Sequence, residues 1–393
     1  PGPPSTEVLE TVAKHNDGSI YVEWSVNEKV AMEVAAGASY TGARTMVTMK
    51  QVGLNVASDP LMCLTSVGVK GGLVVLVADD PGPISSQTEQ DSRHFGRYAN
   101  IPVFDPATPE EAYAMVGEAF ATSEKFGLPV ILRPTTRVCH ACSVVSTQTE
   151  RQQRQPEGFQ KDSRWVIFPA LARKNHEAHE LVQPEIAAHF DTLPFNHITG
   201  NTHQGLGIAA SGVAYTYAKE ALAKLQLDIK LLKIGTPFPF PQKITKEFCQ
   251  DLEKILVLEE LDGVIEDELW KLCGKEHLNI EIFGKKTRSV PLAGEYSVPI
   301  AEAAIAAFTG LTLPETEPIS LPPLPVRPPV LCAGCPHRAS FYAVKQAMKK
   351  QPYVCTGDIG CYTLGNAKPL DMVDTCLCMG GGITVAQGIS QAG

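Results

Sequence analysis

Gly72-Leu73-Val74-Val75-Leu76-Val77-Ala78-Asp79-Asp80-Pro81-Gly82 is the stretch that decides the fold. An unbroken apolar run of strand length that ends in an acidic Pro-Gly turn reads as a strand buried on both faces, as in a parallel sheet. Outward from it, Thr45–Met49 and Val130–Arg133 read as further strands, and Tyr21–Trp24 is β-rich as well. Helical patterns occupy Val26–Tyr40 and Pro109–Phe126 between them. This alternation predicts an α/β domain whose sites lie where strands end in polar or Gly-rich loops.

A second α/β unit is predicted from about Phe195 to Phe308, with strands at His197–Thr199, Ile229–Ile234 and Ile255–Leu258 and helices at Gly212–Leu225 and Gly263–Leu272. Between the two units, Arg151–Arg164 is polar and Gln-rich, and reads as a linker or exposed arm. Leu311–Val330 contains seven prolines and should be an extended spacer. A third unit opens at Leu331, with a helix at Ala339–Lys349, a strand at Tyr353–Thr356 and a Gly-rich turn into a helix at Gly380–Ile389.

The chain has 393 residues, 44% hydrophobic and 20% charged, which fits a globular protein of two to four domains. Its longest apolar stretches have strand length, so a membrane span is not expected. Net charge of −9, from 34 basic and 43 acidic residues, argues against nucleic-acid binding. The opening Pro1–Glu7 has no initiator Met, basic region or apolar core, and Gly393 ends a helical pattern without a stop signal. Both ends therefore read as open.

Six of eleven cysteines fall within Cys332–Cys378, which points to a reducing compartment and a metal or redox role for that segment. Cys332-x-x-Cys335, followed by Cys361 and by Cys376-x-Cys378, suits thiolate ligation of iron–sulfur or zinc, and small buried residues beside a tight turn would give the same spacing. Cys139-x-x-Cys142 has no matching ligand pair and reads as structural. Ser25-Val26-Asn27-Glu28 before a helical run is a capping box, with Ser25 at the N-cap and Glu28 reaching back. A functional Glu28 would be a half-buried carboxylate passing a proton to a ligand nitrogen. Arg93, after Gln87–Ser92, could grip a carboxylate in a bidentate fashion. Gly357-Asp358 with Asn366 invites a metal–diphosphate reading, which the short spacing and Ile359 oppose.

The segments Pro1–Glu7, Glu23–Ala31, Met49–Ala57, Asp79–Gly82, Ser85–Arg93, Cys332–Arg338, Gly357–Gly365 and Asp374–Gly380 occur in one order along nearly the whole chain. Taken jointly, they make the sequence similar to the thiamin-diphosphate-dependent 2-oxoacid:ferredoxin oxidoreductases, in particular the large (alpha) subunit of the indolepyruvate type. The resemblance implies a thiamin diphosphate-binding α/β fold with a transketolase C-terminal-like α/β domain. Residues 1–150 would be the pyrimidine-binding domain, 151–194 a linker or arm, 195–310 the transketolase-like domain, 311–330 the Pro-rich linker and 331–393 the start of the diphosphate-binding domain.

The implied reaction is oxidative decarboxylation of an aryl pyruvate, with two electrons passing through 4Fe-4S clusters to ferredoxin and the acyl group to coenzyme A. It implies a small (beta) partner subunit, a cytoplasmic setting, sensitivity to oxygen, and neither a membrane nor a nucleic-acid partner. By the same resemblance Glu28 bonds the aminopyrimidine ring and acts with Arg93 as a catalytic residue. Lys50, Gly53 and Asn55 line the cofactor side, as do Gly357, Asp358, Ile359, Gly360, Cys361 and Gly380. Ser5, Thr6, Gln90 and Asp91 meet the substrate, and Cys332, Cys335 and Cys361 hold a cluster, with Cys376 or Cys378 as a fourth ligand.

Magnesium is implied too, with its main Gly-Asp…Asn ligands placed beyond Gly393. Pro3 stands where the family has Thr, removing a hydroxyl from the opening loop. The alternatives are a sister enzyme for another 2-oxoacid, a non-oxidative thiamin decarboxylase, or a zinc-stabilised assembly protein.

Overall fold

The computed structural model describes residues 4–147, 155–201, 204–314, 322–325 and 327–392. Pro1–Pro3 of the opening loop, 151–154 of the polar arm, and 315–321 with Val326 of the Pro-rich spacer lie outside the described residues. The chain forms two compact units, Pro1–Pro314 and Glu315–Gly393.

In chain order the first unit begins with α1 (Thr6–His15), α2 (Glu28–Tyr40), β1 (Thr45–Lys50), α3 (Gln51–Val56), α4 (Ser58–Val67) and β2 (Leu73–Ala78). It continues through α5 (Arg93–Ala99), β3 (Val103–Phe104), α6 (Pro109–Phe126), β4 (Val130–Leu132), α7 (Thr136–His140) and α8 (Pro169–Phe190). These strands pair in the order β1-β2-β4-β3, all parallel.

All six residues of β2 are buried, as the opening run requires. Successive side chains alternate across the sheet. Leu73, Val75 and Val77 meet Met32, Leu54, Leu61 and Leu64 of α2, α3 and α4. Val74 and Leu76 turn the other way, onto Met115 and Ala119 of α6 and Ile186 and Phe190 of α8.

The same unit holds a second sheet. Its elements are β5 (His197–Thr199), β6 (Leu206–Ser211), α9 (Val213–Lys224), β7 (Lys230–Ile234), α10 (Gln242–Phe248), β8 (Lys254–Leu258), α11 (Val264–Glu276), β9 (Glu281–Phe283) and α12 (Val298–Thr309). The order is β5-β7-β6-β8-β9, parallel except for β5 at the edge. Ile208, Ala210, Leu256 and Leu258 pack on α9 and α12, while Ala209, Leu232, Ile255 and Val257 pack on α10 and α11. The second unit carries α13 (Pro336–Met348) and α14 (Gly381–Ala392). Among the described residues no helix is long and apolar enough to cross a membrane.

Three expected elements differ. Tyr21–Trp24 is coil, because its polar ends find local partners rather than a neighbouring strand: Tyr21 Oη donates to Glu23 Oε2 at 2.6 Å, and Ser25 Oγ to Glu23 Oε1 at 2.7 Å. Tyr353–Thr356 is not a strand either, making only the isolated bridge Thr356–Thr375. The expected arm 151–194 contains α8, a 22-residue helix whose last turns bury Ile186, Ala187 and Phe190. Before α8, residues 155–162 and 166–168 of that arm are exposed and outside any helix.

Candidate functional site

β1 runs straight into α3, so Lys50 and the residues after it stand at the C-terminal edge of the first sheet. The expected capping box is not made. Asn27 is the N-cap of α2, its Oδ1 accepting from the Val30 N–H at 2.9 Å, and Ser25 is spent on Glu23. Glu28 is then the first helical residue, too near the cap to reach back to it, and its carboxylate has no capping duty. It lies instead over Gly53: a Cβ there would stand 2.7 Å from Glu28 Cγ and 2.9 Å from its Oε1. Glycine at 53 is thus what allows the half-buried carboxylate of Glu28 to occupy this seat. Lys50 is buried, donates to the Ser85 carbonyl at 3.1 Å and is held below the usual lysine range by burial, against the pull of Asp80.

Gln51 and Asn55 are each two residues from Gly53, roughly 200° around the helix. They point to the other side, where Asn55 Nδ2 donates to Gln90 Oε1 at 3.0 Å and Gln51 Nε2 to the Thr88 carbonyl at 3.1 Å. With Glu89, Asp91, Ser92, Phe95 and Asp262 they wall a cleft of about 300 Å³. Gln51 Oε1 and Ser92 Oγ are buried without partners among the described residues. The expectation that Lys50, Gly53 and Asn55 line one side is therefore corrected: Gly53 shares the Glu28 side, and Asn55 faces the cleft with Gln90.

Arg93 and Asp91 also depart from expectation. Arg93 opens α5 and is 1% exposed, and all five of its N–H groups are taken. Nε donates to Asp91 Oδ1 at 2.9 Å, and Nη2 to Asp91 Oδ2, the Glu260 carbonyl and the Asp262 carbonyl at 2.6, 2.9 and 2.8 Å. Nη1 donates to Glu259 Oε2 at 2.7 Å and Ser211 Oγ at 3.1 Å. No donor is left for a substrate carboxylate, so Arg93 is a clasp between the first sheet and the loop after β8. Burial pushes the Asp91 carboxyl up, but Arg93 and then Arg133 outweigh it and hold it well below the usual range. The Asp91 side chain is fully buried with both oxygens engaged by Arg93, so the expected substrate contact at Asp91 is corrected: its carboxylate is part of the clasp.

Asp91, His94 and Asp262 bring ligand atoms within 4.8 Å of one another. The Asp91–Arg93 pairing and the His94–Asp262 contact at 2.9 Å account for that grouping.

Beside the clasp, Arg133 bonds Asp79 Oδ2 at 2.7 Å and Asp105 Oδ1 at 3.1 Å. Glu260 is 5% exposed, and burial pushes its carboxyl up to about 7 although the Tyr296 N–H donates to it at 2.8 Å. The folded state then binds a proton that the unfolded state has lost between its ordinary value near 4.5 and about 7, so stability falls as pH rises through that window. Glu260→Gln removes this loss: urea titrations at pH 5 and pH 8 should show it flattening the parent's decline by roughly 3 kcal/mol, and an unchanged slope would contradict the assignment.

Ser5 is buried at the start of α1 and Thr6 is its first residue, with Thr6 Oγ1 buried and unpartnered among the described residues. The Cys139 thiol is pushed up to about 12 by burial, then by Glu7 and Asp79, and α1 packs on β1.

In the second unit, Asp358 ties a loop to the start of α14. Its Oδ1 accepts from Ile359 N at 2.7 Å and Gly380 N at 2.9 Å, and its Oδ2 accepts from Gly380 N at 2.9 Å. Gly360 and Gly380 have φ of +108° and +79°, where a side chain would be strained. A cleft of about 530 Å³ opens between Thr356, Gly357, Asp358, Tyr362, Gly382 and Ile383.

Cys332, Cys361 and Cys378 are exposed and Cys335 and Cys376 half-buried, so the reading as small buried residues fails. The cysteine segments adjoin. His337 Nδ1 lies 3.3 Å from Cys335 Sγ, its ring stands edge-on to Tyr362 at 4.5 Å, and Cys376 Sγ is 3.5 Å from Thr363 Oγ1. Among the described residues no three cysteine sulfurs lie within 4.8 Å of one another. A single zinc ion, with bonds of about 2.3 Å, needs that closeness; a four-iron cluster spreads its thiolates wider.

Residues 1–196 match the family model described as "Pyruvate flavodoxin/ferredoxin oxidoreductase, thiamine diP-bdg", and residues 195–301 that of the "Indolepyruvate ferredoxin oxidoreductase middle domain". The chain is 41% identical over its full length to the indolepyruvate oxidoreductase subunit IorA of Methanothermobacter thermautotrophicus, covering 65% of that protein. To IorA of Pyrococcus abyssi it is 43% identical over its full length, covering 62%. The chain thus spans less than two thirds of these relatives. Among solved structures, a 2-oxoglutarate:ferredoxin oxidoreductase from Magnetococcus marinus aligns with a TM-score of 0.60 at 16% identity, covering 78% of this chain and 60% of that one. A split-gene transketolase aligns at 0.51 and 15% identity, covering 78% and 90%. At such identities these two establish the fold alone.

Proposed function

The chain belongs to the thiamin-diphosphate-binding 2-oxoacid oxidoreductase family that includes the IorA subunits, and from that premise we propose that it oxidatively decarboxylates an aryl pyruvate of the indolepyruvate type. The products are the aryl-acetyl-CoA and carbon dioxide, with electrons leaving through iron–sulfur clusters to ferredoxin and a small subunit completing the enzyme in the cytoplasm. On the same reading residues 1–150 bind the pyrimidine ring, 195–310 form the transketolase-like part, and 331–393 begin the diphosphate-binding part.

The observation that carries this reading is the seat of Glu28, a carboxylate released from capping by Asn27 and given room by Gly53. When bound, thiamin diphosphate supplies the carbanion chemistry that decarboxylation needs. Glu28 holds and exchanges a proton at the aminopyrimidine nitrogen. Lys50 fixes the loop at Ser85. Ser5, Thr6 and Gln90 belong to the substrate side, without Asp91 or Arg93. Gly357–Cys361 and Gly380 belong to the diphosphate side, where the α14 N-terminus suits phosphate charge. Magnesium would join the diphosphate there; among the described residues no three His, Cys, Asp or Glu ligand atoms of the second unit converge on a single ion.

The direct test is anaerobic assay of the assembled enzyme for 2-oxoacid-dependent, coenzyme A-dependent reduction of ferredoxin. Aryl pyruvates should outpace pyruvate and 2-oxoglutarate; aldehyde release without reduction would overturn the oxidative reading. Cys332, Cys335 and Cys361, with Cys376 or Cys378, hold the cluster in this reading. Cys335→Ser should therefore lower bound iron by about four atoms per chain in anaerobically purified protein. Unchanged iron refutes these ligands, and zinc in its place favours an assembly role.

A further inference from the structure

α10 and α11 pack side by side under the second sheet, and two polar contacts tie them: the Lys246–Glu276 ion pair, and Lys275 Nζ donating to Gln242 Oε1 at 3.0 Å. Cys249 is the residue that ends α10, and Cys273 lies in the last turns of α11. Each is 4% exposed, and both belong to one apolar cluster with Phe248, Ile265 and Leu269. Both sit in that one cluster on adjoining helices, and the interaction between them pushes the Cys249 thiol up while lowering the Cys273 thiol against the effect of burial. Neither residue belongs to the cysteine-rich second unit or to the site around Glu28.

We propose that Cys249 and Cys273 are a redox-modification site, a dithiol that takes up two-electron oxidation by a peroxide as an intramolecular disulfide. Cys273, as thiolate, attacks the peroxide oxygen; the O–O bond breaks, the departing hydroxide takes up the proton the thiol released and leaves as water, and Cys273 becomes a sulfenic acid. Cys249 sulfur then attacks Cys273 sulfur and expels the sulfenic oxygen as a second water. Two thiols and one hydrogen peroxide thus yield one disulfide and two waters. An isolated thiol oxidised to the same stage has no such neighbour and proceeds to sulfinic acid. The pair gives the apolar cluster a reversible end point instead.

The test begins with the reduced full chain, its accessible thiols blocked by alkylation under native conditions. Hydrogen peroxide is added, the chain is unfolded, remaining thiols are alkylated with a mass-distinct reagent, and peptides are identified by mass spectrometry. The expected result is one linked species joining the Cys249 and Cys273 peptides, two hydrogens lighter than their sum and returned to free thiols by dithiothreitol. In Cys273→Ala, Cys249 should form no link. Recovery of both cysteines with the second label at peroxide levels that oxidise Cys63 in a parallel, unblocked sample, or their separate conversion to sulfinic acid, would overturn the proposal.

Discussion

Glu28→Gln is expected to cut turnover of the assembled enzyme by about 10²- to 10⁴-fold, the range over which a positioned proton-transfer group acts. Size and shape are conserved, so the side chain should still sit over Gly53, where Glu28 Cγ stands 2.7 Å from the position of a Cβ. Helix stability should not change, because the cap of α2 is Asn27, 2.9 Å from the Val30 N–H. The loss should therefore appear in kcat, with the melting temperature and the calorimetric affinity for thiamin diphosphate close to the parent's. Asn27→Ala provides the converse control. It should cost about 1 kcal/mol of stability with much smaller effect on kcat. A Glu28→Gln enzyme with parental kcat would refute the proton-transfer role, and one that melts early would return Glu28 to a structural part.

Glu28 also shows what was legible in the sequence. Its place before an amphipathic helix was plain, but Ser25, Asn27 and Glu28 all carry capping chemistry, and which one caps depends on where the chain enters the helix. The β2 run was readable because burial on both faces makes a strand apolar throughout. β3, with two residues, is too short to show a pattern. α8 was missed for another reason: only its last turns reach the core, so its first turns look like a solvated arm. The buried ions were the deepest omission. Asp79, Asp91, Arg93, Arg133 and Glu259 are charged residues at strand ends and in loops, which sequence alone assigns to solvent or to a ligand. What buries them is the approach of the second sheet, with Glu259 more than 160 residues from Arg93.

Arg93 gives the second large effect, and it is one of stability. Arg93→Met leaves the Glu259 carboxylate, 2.7 Å from the guanidinium, without its counter-charge, and Asp91, 2.6 Å from it, with only Arg133 at 3.9 Å; both carboxylates are almost wholly buried. Breaking a buried pair in this way costs about 3–5 kcal/mol, so the urea midpoint should fall steeply at pH 7. Arg93→Lys keeps the charge, but three donors on a single nitrogen cannot reach Asp91, Glu259, Ser211 and the carbonyls of Glu260 and Asp262 together. Its midpoint should lie between that of the Arg93→Met variant and that of the parent. Adding Glu259→Gln to Arg93→Met removes one stranded charge and should recover part of the loss, giving a coupling well beyond the additivity seen for separated sites. A residue that gripped the substrate carboxylate would behave otherwise: Arg93→Lys would raise KM while the urea midpoint stayed where it was. Measuring both quantities on one variant separates a clasp between two sheets from a substrate ligand, and the five engaged N–H groups predict the clasp.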